Sequence, residues 1–324
     1  MDLLFSALDD HAGENWGPWF RALWPLYRQW FLREGMENRA TFLESRLALR
    51  EHMPQILPLW ERCVEAAGGG DLEARFLSLY CPPAYFSGCS QAVWPGTSPL
   101  LVRNYDYHPG AFDALVLRTH WGPRRVLGTS DCGIGLLDGI NDAGLAMSLT
   151  FGGRRVVGEG FGVPIILRYV LETCGTTEEA ALALARIPTH MAYNVTVLDA
   201  QQRHATVYMA PDKPAEITHA AVATNHQGRV DWAGHERMTA SVRRERFLLQ
   251  RLSLHPESEA SFIGAFLKPP LYSLAFERGF GTLYTAALRP DLGSVSYHWP
   301  DSTWRFQLDA FQPGQRHIRY LAPW

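Results

Sequence analysis

The stretch from Phe86 to Asp106 constrains the fold more tightly than any other part of the chain. Ser90-Gln91-Ala92-Val93-Trp94 and Leu100-Leu101-Val102-Arg103-Asn104-Tyr105-Asp106 are β-forming runs. Between them, Pro95-Gly96-Thr97-Ser98-Pro99 has the composition of a hairpin connection. Such a hairpin starts its first strand at Gly88-Cys89-Ser90 and brings Arg103 and Asp106 back beside it. A thiol, a guanidinium and a carboxylate are therefore expected together, and one hairpin suffices to gather them.

The rest of the composition mostly excludes. A chain of 324 residues with 47% hydrophobic and 19% charged residues buries a large core and has no disordered character. A net charge of −3 argues against nucleic acid as a partner. No apolar run reaches the ~20 residues of a membrane span, and residues 1–10 lack the basic and apolar regions of a signal peptide. Five cysteines without a CxxC pair fit reduced thiols in a cytoplasm better than a disulfide framework or a zinc site. The twelve histidines show no HExxH or clustered spacing, so no metal is expected. No GxGxxG or GxxxxGK[ST] precedes a helix, and no cofactor is expected either.

Periodicity then orders the chain. Trp16, Trp19, Phe20, Leu23, Leu26, Tyr27, Trp30 and Phe31 recur at three- and four-residue steps, an amphipathic helix in which Pro25 marks a kink or a split. Its aromatic density reads as packing. Further helices are expected over 40–50, over 58–67 (stopped by Gly68-Gly69-Gly70) and over 71–79. After residue 88 the texture turns to β. Strands are expected at 114–120, within 128–151 around a turn at 141–144, and at 194–199, 205–209, 220–225, 282–288, 294–298 and 304–308. Helices are expected over 164–174 and 177–186, with a basic one over 238–252. This order predicts one folded body, a layered α/β arrangement behind a helical amino-terminal segment.

Taken together, Gly88-Cys89-Ser90, Arg103-Asn104-Tyr105-Asp106, Gly139-Ile140-Asn141-Asp142-Ala143-Gly144-Leu145, the strand opening at Asn194, Ala223-Thr224-Asn225-His226, Ser241-Val242-Arg243-Arg244-Glu245-Arg246 and Gly281-Thr282-Leu283-Tyr284-Thr285 carry a resemblance. The chain resembles the autoproteolytic acyltransferases and hydrolases of the amino-terminal-nucleophile superfamily, specifically the relatives of penicillin acyl-CoA:6-aminopenicillanate acyltransferase. The likeness spans about residues 55 to 310. It implies an αββα sandwich, made as a precursor that cleaves itself between Gly88 and Cys89. Residues 1–88 would then be a helical leader, released by the cut but retained, and residues 89–324 the catalytic chain.

The resemblance also distributes roles. Cys89 is the implied nucleophile, with its own freed α-amine as base (reference pKa ~7.7–8.0). Asp106 is expected to orient that amine. Arg103 is expected to pair with Asp106 or to lie against the thiolate. Asn225 is expected to present its side-chain N–H to the tetrahedral intermediate, and Asn194 to support the site or satisfy strand-end backbone. One arginine belongs near the site. Arg243, Arg244 and Arg246 compete for that place, and motif register favours Arg243. The implied activity is cleavage or transfer of an apolar acyl group from an amide or a thioester, a small-molecule substrate. The alternatives are a papain-like Cys/His hydrolase without self-cleavage, to which His226 beside Asn225 would point, and a non-catalytic binding protein on the same fold.

Overall fold

The computed structural model describes residues 1–253 and 257–320. The chain opens not with a helix but with strand β1 (Asp2–Asp10), in which Phe5 and Ala7 alternate inward. The amino-terminal segment expected to be helical thus carries a strand ahead of its helices. Asp10 then turns the chain: its carboxylate accepts from the backbone N–H of Gly13, Asn15 and Trp16 and from the Trp121 indole. Helix α1 (Trp16–Phe31) follows and runs on through Pro25. Next come α2 (Phe42–His52), started by a Thr41/Glu44 capping box, α3 (Leu57–Ala67) and α4 (Asp71–Ser78). Their aromatic faces pack on one another, Tyr27 lying 4.9 Å and Trp24 5.4 Å from the Phe76 ring.

Strands β2 (Gly88–Val93) and β3 (Leu101–Tyr107) form the expected antiparallel hairpin, with Gly88 opposite Asp106, Cys89 opposite Tyr105 and Gln91 opposite Arg103. A meander follows: β4 (Leu115–Thr119), β5 (Val126–Asp131), β6 (Gly135–Asn141) and β7 (Leu145–Phe151). The turn at 141–144 joins the last two. Helices α5 (Val163–Thr173) and α6 (Thr177–Arg186) lie where periodicity puts them, and β8 (Tyr193–Asp199) and β9 (His204–Ala210) return to the sheet. The short edge strand β10 (Lys213–Thr218) was not expected, and β11 shrinks to Val222–Ala223. The basic segment divides into α7 (Ala233–Thr239) and α8 (Ser241–Ser253), because Ala240 between them takes the left-handed conformation at φ 50°. An unexpected α9 (Glu259–Phe266) precedes β12 (Leu274–Ala275), β13 (Phe280–Arg289), β14 (Ser294–Trp299), β15 (Ser302–Gln307) and a further strand, β16 (Gly314–Arg319).

The strands form two sheets, one of nine strands in the order β10-β9-β8-β7-β6-β5-β4-β1-β16 and one of seven built on β11-β2-β3-β13-β14-β15 with β12 added at β13. The sheets face each other through β2, β3, β13 and β14 on one side and β6 and β7 on the other. Helices α5 and α6 cover the outer face of the larger sheet, and α8 and α9 that of the smaller. The result is the four-layer αββα sandwich. Its middle strands are buried on both faces, as every residue of β5 to β8 and of β2 shows. A polar side chain there needs a partner, and this makes the buried polar residues informative.

Candidate active site

Alternation along the hairpin sorts its side chains. Cys89, Gln91, Arg103 and Tyr105 face the space between the sheets, while Ser90, Asn104 and Asp106 face the helices. Arg103 and Asp106 are three residues apart in one strand, so they point to opposite faces and do not pair. Of the two expectations for Arg103, the structure therefore matches the second: its Nη2 donates to the Cys89 sulfur at 3.4 Å. The guanidinium is otherwise fully engaged. Nε donates to the Leu149 carbonyl at 2.9 Å, and Nη1 donates to Asp138 Oδ2 at 2.7 Å and to the Tyr284 hydroxyl at 3.0 Å. Asp138 also accepts from the Tyr284 and Thr129 hydroxyls at 2.7 and 2.8 Å. Burial pushes the Cys89 thiol above its ordinary range, and the charge of Arg103 acts against that push.

Asp138 escapes motif reading. Its signal is physical: an acid in the middle of a strand buried on both faces must have a cation within reach.

On the helix face, Asp106 accepts from Arg244 Nη1 at 2.5 Å and from the Thr282 hydroxyl at 2.6 Å. The preference for Arg243 is corrected by this contact. Ser241, Arg244 and Leu248, at helical spacing, form the buried stripe of α8, whereas Arg243 and Arg246 are exposed. The start of α8 is pinned by His226, whose Nδ1 lies 2.7 Å from the Ser241 hydroxyl and whose Nε2 lies 3.1 Å from Glu245 Oε2. His226 thus fixes the helix that delivers Arg244, and its ring is hydrogen-bonded to Ser241, Glu245 and Thr224 rather than to the Cys89 thiol.

Asn225 sits on the nitrogen of Cys89. Its Oδ1 accepts from the Cys89 backbone N–H at 3.0 Å, and its Nδ2 donates to the Phe151 carbonyl at 3.0 Å. An amide hydrogen on one side and a carbonyl on the other leave the side chain one sensible orientation. Asn225, expected to present an N–H to an oxyanion, thus gives one amide N–H to Phe151 and holds the Cys89 nitrogen with its oxygen, while its second N–H is used in neither contact. The close approach relies on Gly153, at φ 69°, where a Cβ would stand 2.0 Å from the Asn225 carbonyl oxygen. Asn194 supports this arrangement, its Nδ2 lying 2.8 Å from the Thr224 carbonyl and 3.1 Å from that of His226. Gly88 is similarly confined: a Cβ there would lie 3.2 Å from both Asp106 Cβ and the Phe280 ring.

Beside the hairpin lies a cavity of about 380 Å³, walled by Leu23, Tyr27 and Trp30 of α1 and by Tyr105, Tyr107 and Phe112. Tyr105 joins the two places, because it stands opposite Cys89 and its ring lies 4.7 Å from the Arg103 guanidinium carbon. Part of the aromatic stripe expected to serve packing therefore lines a pocket, while Trp16, Phe20 and Phe31 do enter the core. Among the described residues no His, Cys, Asp and Glu cluster could hold a metal ion.

Two facing sheets lie between helical layers, and Cys89 stands near the start of an inner strand of the smaller sheet. The family model for acyl-coenzyme A:6-aminopenicillanic acid acyl-transferase matches residues 94–304, and the chain belongs to that family. The matched stretch holds Arg103, Asp106, Asn194, Asn225 and Arg244, and it begins just after Cys89. No curated protein matches the chain in sequence. Among solved structures, a conjugated bile acid hydrolase from Clostridium perfringens is similar at 14% identity over 72% of this chain and 97% of that one, with a TM-score of 0.49. Penicillin V acylase from Agrobacterium tumefaciens is similar at 13% identity over 68% and 86%, with a TM-score of 0.42. A Caenorhabditis elegans N-acylethanolamine-hydrolyzing acid amidase ortholog is similar at 16% identity over 67% and 98%, with a TM-score of 0.45. Likenesses this distant transfer no residue role to this chain.

Proposed function

We propose that the chain is a self-processing cysteine enzyme that cleaves or transfers an apolar acyl group from an amide or a thioester through an acyl-enzyme on Cys89. One observation carries the reading. Among the described residues, the polar side chains that reach the Cys89 sulfur are Arg103 at 3.4 Å and Ser87 at 3.8 Å, and neither is a base. His226 is committed to Ser241 and Glu245, which disfavours a papain-like mechanism. The group next in line to accept the thiol proton is the cysteine's own nitrogen, already held by Asn225, once it becomes an amine.

In the first stage the Cys89 sulfur attacks the Gly88 carbonyl carbon. The C–S bond forms, the peptide C–N bond breaks and the thiol proton passes to the departing nitrogen. Water then hydrolyses the thioester, giving a Gly88 carboxylate, the free thiol and the Cys89 amine. In the second stage that amine takes the thiol proton, the sulfur attacks a substrate carbonyl, and the ammonium returns the proton to the leaving amine or thiol. Water or an acceptor amine finally removes the acyl group. The largely aromatic cavity that shares Tyr105 with the surroundings of Cys89 suits an apolar acyl group. The retained leader fits the same account, since β1 pairs with both β4 and β16. Five free cysteines support a reducing, cytoplasmic setting.

Intact-mass measurement of the purified chain beside Cys89→Ala tests this. The expected result is two fragments, 1–88 and 89–324, that stay together in solution, and a single chain from the variant. An uncut chain from both would remove the base and leave a binding protein on the same fold as the better reading.

A further inference from the structure

The cavity beside the hairpin ends in two acids of very different circumstances. Asp113 is saturated, accepting from the Tyr27 hydroxyl on Oδ1 and from the Ser130 hydroxyl at 2.8 Å and the Gly133 N–H at 3.2 Å on Oδ2. Asp131, the last residue of β5, is 6% exposed and lines the same cavity. Among the described residues its side chain is hydrogen-bonded only by its neighbour Cys132, through the thiol at 3.8 Å and the backbone N–H, and it makes no ion pair. A carboxylate so nearly buried and so poorly satisfied is unfavourable unless something else completes it. Arg103 cannot, being held by Asp138, Tyr284 and Leu149. Arg33, at the cavity mouth, is engaged by the Ala84 carbonyl and Glu34.

The remaining lining is apolar and largely aromatic, with Tyr27, Trp30, Tyr105, Tyr107 and Phe112 beside Leu23 and others. Aromatic faces around one unsatisfied carboxylate attract an organic cation by two routes, ring quadrupole and ion pair. We propose that this cavity binds an ammonium group borne on an apolar skeleton, with Asp131 as its counter-ion, and that Asp131 thereby selects which substrates reach Cys89. The word substrate rests on the function proposed above; the binding does not. Burial and the neighbouring Asp113 push the Asp131 carboxyl well above its ordinary range, and a bound cation is the kind of partner that would bring it back down.

The test uses the full chain and two probes of equal size, phenethylamine and the neutral 2-phenylethanol, titrated at pH 7 by isothermal titration calorimetry. The amine is expected to bind at least about 10-fold more tightly than the alcohol. Asp131→Asn is expected to bring the two within about 2-fold without abolishing alcohol binding. Equal binding of both probes by the unmodified chain would overturn the proposal, and so would an amine preference that survives Asp131→Asn. The first comparison needs no variant, so it decides even if the substitution disturbs folding. The same titration on uncut Cys89→Ala separates the two proposals. Amine preference that persists in Cys89→Ala shows that the cavity works without the nucleophile. An unmodified chain that prefers the amine but never cleaves supports the cavity assignment and defeats the nucleophile. Cleavage without amine preference does the reverse.

Discussion

The two faces of the β2–β3 hairpin each carry a buried ion pair, and the pairs differ in what surrounds them. Between the sheets, Arg103 and Asp138 are both wholly excluded from solvent, and the guanidinium touches the thiol itself. On the helix face, Asp106 is as deeply buried, but its partner Arg244 comes from the start of a surface helix. The first pair shapes the electrostatics of the sulfur. The second lies on the opposite face, where Asp106 stands across from Gly88 in the register. Under the proposed function, the two sides of one hairpin would separate reactivity from alignment.

The largest expected effect is on the first face. Asp138→Asn strips the charge that balances Arg103, and breaking a buried pair this way should destabilise by about 3–5 kcal/mol, read from the denaturant midpoint, with self-cleavage lost. On the second face, Arg244→Gln should slow cleavage strongly and Arg244→Lys should restore part of the rate. If Arg244→Gln left the rate unchanged, the alignment role would fall. Asn225→Ala, which frees the Cys89 N–H, should slow cleavage by about 10-fold or more, consistent with loss of a buried hydrogen bond of ~1–3 kcal/mol.

Asp131→Asn should act in the opposite sense on stability. A carboxyl whose folded-state pKa is raised binds its proton more tightly when folded, so its contribution to stability falls as pH rises above the unfolded value. The variant should therefore melt a few degrees higher at pH 7, and the difference should shrink toward pH 4. Arg243→Gln, on the exposed side of α8, should change stability by less than about 0.5 kcal/mol and leave cleavage alone.

What could be read without coordinates follows the range of the forces involved. The hairpin was legible because its turn chemistry and alternation are local. The opposed directions of Arg103 and Asp106 were legible too, since an odd spacing in a strand means opposite faces, and the expected pairing overlooked it. Choosing Arg244 over Arg243 needs the break at Ala240, which sets the phase of α8 and leaves little trace in composition. Strands β10 and β16, Lys213–Thr218 and Gly314–Arg319, contain too few apolar residues to announce themselves and exist by virtue of their neighbours. The direction of the Asn225 amide depends on a carbonyl 74 positions away.

Strand β1 has a consequence for timing. Its residues 2–7 are zipped to residues 314–319, and Met1 and Tyr320 exchange backbone hydrogen bonds. During synthesis the first strand therefore waits for nearly the whole chain before its second edge is covered, and long-range closure of this kind is slow. The bond proposed to be cut lies at the start of β2 in the other sheet, whose strands β13 to β15 also arrive late. Scission at Gly88 would then mark a finished molecule rather than a nascent one. The cut would serve as a record that assembly is complete, and ribosome-bound chains stopped short of residue 280 should carry no break.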